Sequence, residues 1–303
     1  MKKNFLDRVT EIIDKERVFM DEPMSKHTTF RIGGPADYFV CPKNIDEVQN
    51  VVRLCREMEM PFYLLGNGSN LLVGDKGYRG VIIRLYKQMD KIEVSGTQIK
   101  AQAGALLVRV SNEACKNGLT GLEFAGGIPG TLGGAVVMNA GAYGGEMKDV
   151  LQEVTVLTRE GELLTLNKEE LELGYRTSVV GRKGYIVLEV VLQLKEKNAE
   201  EIRAYMNELR EKRVTKQPLE YASAGSTFKR PEGHFAGQLI EQAGLRGFQV
   251  GDAQVSEKHC GFVINRGQAT AKDVIELIGE VSAKVEEKFG VQLEPEVKKL
   301  GEF

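Results

Sequence analysis

Residues 126–145 read GGIPGTLGGAVVMNAGAYGG, with eight glycines in twenty positions interleaved with Ile128, Val136, Val137 and Met138. A flexible linker pairs glycine with serine and has no side chains that need burial. This segment does have them, so it is packed against something. Glycine permits positive φ and lets backbone N–H groups approach a ligand without a Cβ in the way. Successive N–H groups so exposed form a concavity that suits an anion, above all a phosphate. Two readings follow from the residues alone: a pyrophosphate cradle, or a tightly packed loop between core elements.

A second glycine cluster lies about 60 residues upstream. Residues 62–73, FYLLGNGSNLLV, run an apolar strand into Gly66, Asn67, Gly68, Ser69 and Asn70. The serine hydroxyl and two amide side chains add donors to those of the turn. Two such loops would grip two parts of one large nucleotide. Neither cluster contains the G-x-x-x-x-G-K-[ST] pattern of a P-loop. Neither gives G-x-G-x-x-G opening a helix with an acidic residue downstream, so a Rossmann site is not supported.

The chain has 303 residues, enough for two or three domains. Its formal net charge of −2 offers no basic field for nucleic acid. Cys41, Cys55, Cys115 and Cys260 are widely spaced and form no C-x-x-C pair, which argues against structural zinc and a redox dithiol. His27, His234 and His259 lack ligand-like spacing, so no metal site is expected. The N-terminus carries charges throughout, unlike a signal peptide. No stretch approaches the ~18 apolar residues of a membrane span. A reducing cytoplasm is the expected compartment.

Apolar spacing predicts a first helix through Phe5, Leu6, Val9, Ile12 and Ile13, and a strand-like stretch over 27–40 broken at Gly33-Gly34-Pro35. Asn44 with Glu47 predicts a helix start. Strands are predicted at 81–86, 98–103 and 185–194, a helix at 107–117, and a hairpin from 151–158 and 162–166 around Arg159-Glu160-Gly161. A charged helix leads to about Val214. Beyond it a helix is expected at 235–243, a strand at 260–264 and a helix from about 271 to 289, capped by Thr270 and Asp273. The mixture is α+β, not a regular βαβ alternation. The expected division is 1–205, with a break near 80, and a smaller domain over 206–303.

Three polar motifs stand out. In Gly174-Tyr175-Arg176-Thr177-Ser178, an arginine beside an aromatic suits bidentate binding of a carboxylate, or is a solvated loop residue. In Ala224-Gly225-Ser226-Thr227, Ser226 is a hydroxyl presented at a bend, or a turn serine bonding its own backbone. There is no G-x-S-x-G elbow, so a hydrolase nucleophile is not indicated. Pro295 biases Glu294 towards extended geometry, which would aim Glu296 inward; the alternative is a solvated carboxylate. Lys216 closes the charged helix, where it meets a phosphate or complements the helix dipole. His259 precedes the apolar strand CGFVI, where a strand end can line a pocket.

The order of these motifs says more than any one of them. GNGSN, GGIPGTLGG, NAGAYG, YRTS, AGSTFK and LEPEV occur in succession from about His27 to Glu296. The combination resembles the UDP-N-acetylenolpyruvoylglucosamine reductases, flavoenzymes that complete UDP-N-acetylmuramate for peptidoglycan. The resemblance implies a two-subdomain FAD-binding region of the vanillyl-alcohol-oxidase type and a smaller α+β substrate-binding domain. It places Gly66, Asn67, Gly68, Ser69 and Asn70, with Gly126, Gly127, Ile128, Pro129, Gly130, Thr131, Gly133 and Gly134, near the FAD pyrophosphate. Asn139, Ala140, Gly141, Ala142 and Ile186 would lie along the cofactor. Position match makes Arg176, Ser226 and Glu296 the catalytic residues, and Tyr175, Lys216 and His259 substrate contacts. Some members carry an extra loop with a tyrosine that folds over the substrate. Here only Lys195-Glu196-Lys197-Asn198 separates strand from helix, so the chain resembles the short-loop variant.

The implied chemistry is a hydride passed from NADPH through FAD to an enolpyruvyl sugar nucleotide, with no nucleic acid or membrane insertion involved. Two rivals share the glycine loops. One is an FAD-dependent alcohol or sugar oxidase of the same fold, which needs no arginine for an enolpyruvyl carboxylate. The other is a non-catalytic nucleotide-binding module, indifferent to Arg176, Ser226 and Glu296.

Overall fold

The computed structural model describes residues 4–303 and divides the chain into two compact units. The first gathers the chain up to Phe19, Tyr38–Asn67 and Val81–Arg213. The second gathers Met20–Asp37, Gly68–Gly80 and Val214–Phe303. The sequence reading expected contiguous domains with a boundary at 205/206. The observed units are discontinuous instead, because two early segments pair with C-terminal elements.

In the first unit, a five-stranded antiparallel sheet runs in the order Leu163–Asn167, Leu151–Leu157, Ile186–Gln193, Gln98–Gln102, Ile92–Ser95. Val154, Val156, Val190, Leu192 and Ile99 are buried with no side-chain exposure. Strict alternation would put Leu157 on the opposite face from Val156, yet both are buried. The partner strand is buried in the same way at Ile186, Val187 and Leu188, and the register shift between Thr155 and Val156 puts its extra residue, Leu188, on that strand. The outer strand Leu163–Asn167 leaves Leu163 and Leu164 exposed, as an edge permits.

Helix Ile45–Glu57 starts as its sequence predicts, with Asn44 Oδ1 accepting from Glu47 N–H at 2.8 Å. The Glu47 carboxylate does not complete a capping box. It accepts from Arg17 at 2.6 and 3.0 Å and from Lys43 N–H at 2.9 Å. Phe62–Leu65 and Tyr78–Arg84 pair in parallel. The predicted strand-like stretch at 27–40 is a strand only over Pro35–Val40.

The glycine-rich segment contains a helix that its composition disfavours, Leu132–Val137. Three contacts explain it. Thr131 Oγ1 caps the first turn through Gly134 N–H at 3.5 Å. Leu132, Ala135 and Val136 are buried in the same core as the five-stranded sheet. A Cβ on Gly133 would lie 2.8 Å from the Ala103 Cβ, so glycine lets the helix sit against the chain there.

In the second unit, Ala222–Ser226, Phe262–Asn265, Ala253–Val255 and Gln249–Val250 form an antiparallel sheet in that order. Helices Ala236–Gln242 and Ala271–Phe289 share its core, in which Val274, Leu277, Val281 and Val285 are fully buried. The predicted cap is present in full: Thr270 Oγ1 accepts from Asp273 N–H at 3.1 Å and Asp273 Oδ2 accepts from Thr270 N–H at 2.9 Å. The N–H groups of Ala271 and Lys272 donate to the Asp75 carboxylate at 2.8 and 3.0 Å. That bond explains part of why 68–80 belongs to this unit. The rest comes from Leu71–Val73, which pairs in parallel with Lys298–Leu300.

Candidate functional site

Within the first unit the two glycine segments touch. Asn67 Nδ2 donates to Pro129 O at 2.6 Å. A Cβ on Gly66 would stand 2.4 Å from Thr131 Oγ1, closer than real contacts allow. Gly66 is therefore glycine because the second segment passes over it. Leu107 N–H donates to Gly130 O at 3.0 Å, which anchors the far side of that segment. Gly127 faces a charge: a Cβ there would meet Arg213 Cδ at 3.1 Å and Nη1 at 3.4 Å. Burial depresses the Arg213 guanidinium below its ordinary value, and Tyr143 opposes that effect. An arginine stays charged in such surroundings.

These residues fit the diphosphate of a dinucleotide such as FAD. The wall is glycine-lined, so backbone donors can approach an anion, and one half-buried guanidinium supplies countercharge. Other glycines of the segment also make close packing contacts. Gly126 lies against Met206 and Ser111, and Gly141 against Gly145 O and Glu146. Gly141 and Ala142 pair with Glu146 and Gly145 in a short hairpin, and Ala140 N–H donates to Ala135 O at 2.8 Å. Ile128 packs half-buried on the core, and Ile186 is buried opposite Leu157.

Arg176 also belongs to the first unit. Gly174 and Thr177 exchange backbone bonds at 3.1 and 3.3 Å, closing a tight turn with Arg176 in its third position at φ +56°. That position ordinarily takes glycine or asparagine. The Arg176 guanidinium stands over the Tyr175 ring, 5.3 Å from its centroid, and Tyr175 is largely exposed. Ser178 Oγ donates to Val137 O at 2.8 Å and caps the helix Val179–Lys183 through Gly181 N–H at 3.2 Å.

Asn139 does something its sequence context did not signal. Its side chain is 1 % exposed and has three protein partners. Nδ2 donates to Glu146 Oε2 at 2.7 Å and to Gly174 O at 3.1 Å, while Oδ1 accepts from Lys148 N–H at 2.9 Å.

The second unit brings Ser226 and Glu296 onto adjoining segments. Ser226 ends a strand opposite Phe262, after a register shift at Gly225, whose φ is +78°. Thr227 O accepts from Glu296 N–H at 2.8 Å, and Lys229 N–H donates to Glu294 O at 2.8 Å around a Phe228–Pro295 bridge. Lys229 is ion-paired with Glu294. Gly68, Ser69 and Asn70 belong to this unit. Gly68 has φ +61°, and a Cβ there would meet His27 O at 2.2 Å. Asn70 Nδ2 donates to Glu296 O at 3.3 Å, and Asn70 O accepts from Lys298 N–H at 3.0 Å.

His259 Nδ1 accepts from Gly261 N–H at 3.1 Å, and the ring stands edge-on to Phe262 at 5.0 Å. Burial lowers its affinity for a proton, and the positive charge of Lys216 adds to the effect. Lys216 closes the helix Ala199–Lys216 and is exposed.

Comparison with known proteins assigns both parts of the chain. Residues 36–167 match an FAD binding domain, and residues 217–300 match the C-terminal domain of UDP-N-acetylenolpyruvoylglucosamine reductase. The reductase of Agathobacter rectalis is 56 % identical over the full length of both chains. The chain belongs to the UDP-N-acetylenolpyruvoylglucosamine reductase family. The crystal structure of the Thermus caldophilus reductase superposes with a TM-score of 0.80 at 40 % identity, covering 93 % of this chain and 98 % of that one. Alkyldihydroxyacetonephosphate synthase, 17 % identical, aligns over 64 % of this chain and 41 % of its own with a TM-score of 0.50, a likeness of fold alone. The fold is thus the FAD-binding type expected for this reductase family, joined to a smaller α+β domain.

Proposed function

We propose that this chain reduces UDP-N-acetylglucosamine enolpyruvate to UDP-N-acetylmuramate with NADPH, as an FAD-dependent step of peptidoglycan precursor synthesis. The contact of the two glycine segments beside Arg213 carries the reading, because it supplies a cradle for the cofactor diphosphate. FAD held by the two glycine segments would supply the redox chemistry that links NADPH to the terminal vinyl carbon of the substrate. The protein supplies orientation and charge. The cytoplasm, where the nucleotide precursors of such a pathway are made, is the proposed compartment. No described helix is long and apolar enough to cross a membrane.

Arg176 takes the substrate carboxylate. Hydride addition drives charge onto that group, so a fixed guanidinium holds the transition state more tightly than the ground state. The stacked Tyr175 ring limits where the guanidinium can go. Ser226 donates the proton that the α-carbon takes up. Glu296, one rung from Thr227, sets the charge around the developing enolate. Lys216 and His259 contact the sugar nucleotide. Gly66 to Asn70 and Gly126 to Gly134 serve the cofactor, and residues 1–205 and 206–303 approximate cofactor-binding and substrate-binding regions.

Replacing Ser226 by alanine tests the proton-donor role. Reduction of the flavin by NADPH is expected to stay intact, and reoxidation by the enolpyruvyl substrate to slow ~100- to 10,000-fold, the usual range for a lost general acid. Equal loss in both half-reactions would remove Ser226 from that role.

A further inference from the structure

We infer that Asn139, in the glycine-rich segment, is a positioning residue for Arg176 and not a cofactor ligand. The inference rests on the reading that Arg176 holds the substrate carboxylate.

Three observations carry it. First, three of the four hydrogen-bonding positions of the Asn139 amide are taken inside the protein, by Glu146, Gly174 and Lys148. The orientation is unambiguous, because Oδ1 meets an N–H donor and Nδ2 meets two acceptors. A buried amide with three such bonds has little left to offer a ligand. Second, one of those acceptors is Gly174 O, the same carbonyl that takes the Thr177 N–H to close the Arg176 turn. Arg176 is left-handed at φ +56°, and a non-glycine residue persists there only when its surroundings hold it. Third, Asn139 is itself left-handed at φ +41°, a conformation asparagine tolerates better than most residues. Ser178 adds a second tie from the same loop to Val137 O. The Arg176 loop is thus pinned at both ends to the short stretch 137–139, and Asn139 holds the end that faces the turn.

The discriminating variant is Asn139→Asp. A carboxylate can still accept from Lys148 N–H, but it presents oxygen to Gly174 O and to the Glu146 carboxylate. Asn139→Gly is the second variant: it keeps the left-handed backbone, removes the side chain, and remains informative if the aspartate variant does not fold. Each is measured as holoenzyme for flavin content, for flavin reduction by NADPH, and for reoxidation by the enolpyruvyl substrate. The expected result is normal flavin content and normal reduction, with reoxidation slowed about 10- to 100-fold, as a misplaced catalytic group would give. In an Arg176→Lys background the Asn139 substitutions should add little, because the group they position is already gone.

Loss of flavin, or equal loss in both half-reactions, would overturn the inference. So would full additivity with Arg176→Lys. Unchanged reoxidation in Arg176→Lys alone is a separate outcome, and it would sink the reading of Arg176 and the inference with it.

Discussion

Asn67 Nδ2 donates to Pro129 O at 2.6 Å, joining glycine segments that lie 62 residues apart in sequence. One bond of this kind is worth only about 1 kcal/mol net. Its importance is geometric, because it fixes the spacing between the two loops proposed to hold one ligand.

That closeness makes a prediction at Gly66. Gly66→Ala pushes a methyl to 2.4 Å from Thr131 Oγ1, and Thr131 in turn caps the helix Leu132–Val137. The substitution is expected to cost about 1–3 kcal/mol, the usual range for overpacking, and to weaken FAD retention. Adding Thr131→Ala removes the obstructing oxygen. The double variant should recover part of the loss, measured as flavin content after gel filtration and as the thermal midpoint. Strict additivity would show that the two loops do not press on each other.

Arg176 supplies a second. Its left-handed φ disfavours any residue with a Cβ by roughly 1–2 kcal/mol. Arg176→Gly should therefore be more stable than Arg176→Ala by about 1 kcal/mol, while both fail to reoxidise with substrate. Denaturant melts of the two variants decide it. A glycine variant weaker than the alanine one would mean the turn is not strained.

His259 gives a pH dependence with a definite sign. Burial holds the folded ring below its ordinary proton affinity, and protonation of Nδ1 would forfeit the bond from Gly261 N–H. An unfolded chain takes up that proton near pH ~6.5, whereas the folded one resists it. The contribution of His259 to stability is therefore complete above pH ~6.5 and is lost as pH falls through the depressed folded value. Thermal midpoints between pH 7.5 and 5 should fall less steeply for His259→Gln than for the parent. Parallel curves would contradict the assignment.

Local chemistry made the helix Ala271–Phe289 legible, because its capping box and apolar stripe are both contiguous in sequence. The hairpin around Gly161 was legible for the same reason, with a left-handed glycine at its tip. The division into units was not. It depends on Asp75 reaching Ala271 and on Leu71–Val73 pairing with Lys298–Leu300, contacts spanning about 200 residues with no local signature. The helix Leu132–Val137 was hidden by its glycines, whose low helix propensity is overridden by burial and by close packing on Ala103.

The site shows the same split. Ser226 and Glu296 stand out by motif, and the bridge between Phe228 and Pro295 brings their segments together. Asn70 and Asn139 look like ligand donors in sequence. In the structure Asn70 bonds the backbone of Glu296, and Asn139 the backbone of Gly174. Nothing near either residue announces a partner so far along the chain.

The most direct measurement is a visible spectrum of the purified protein under anaerobic conditions, with NADPH added first and the enolpyruvyl sugar nucleotide second. The account predicts a flavin band that NADPH bleaches and the sugar nucleotide restores. A band that bleaches with an alcohol but not with NADPH would point to an oxidase of the same fold, and absence of flavin even after reconstitution with FAD would contradict the cofactor assignment itself.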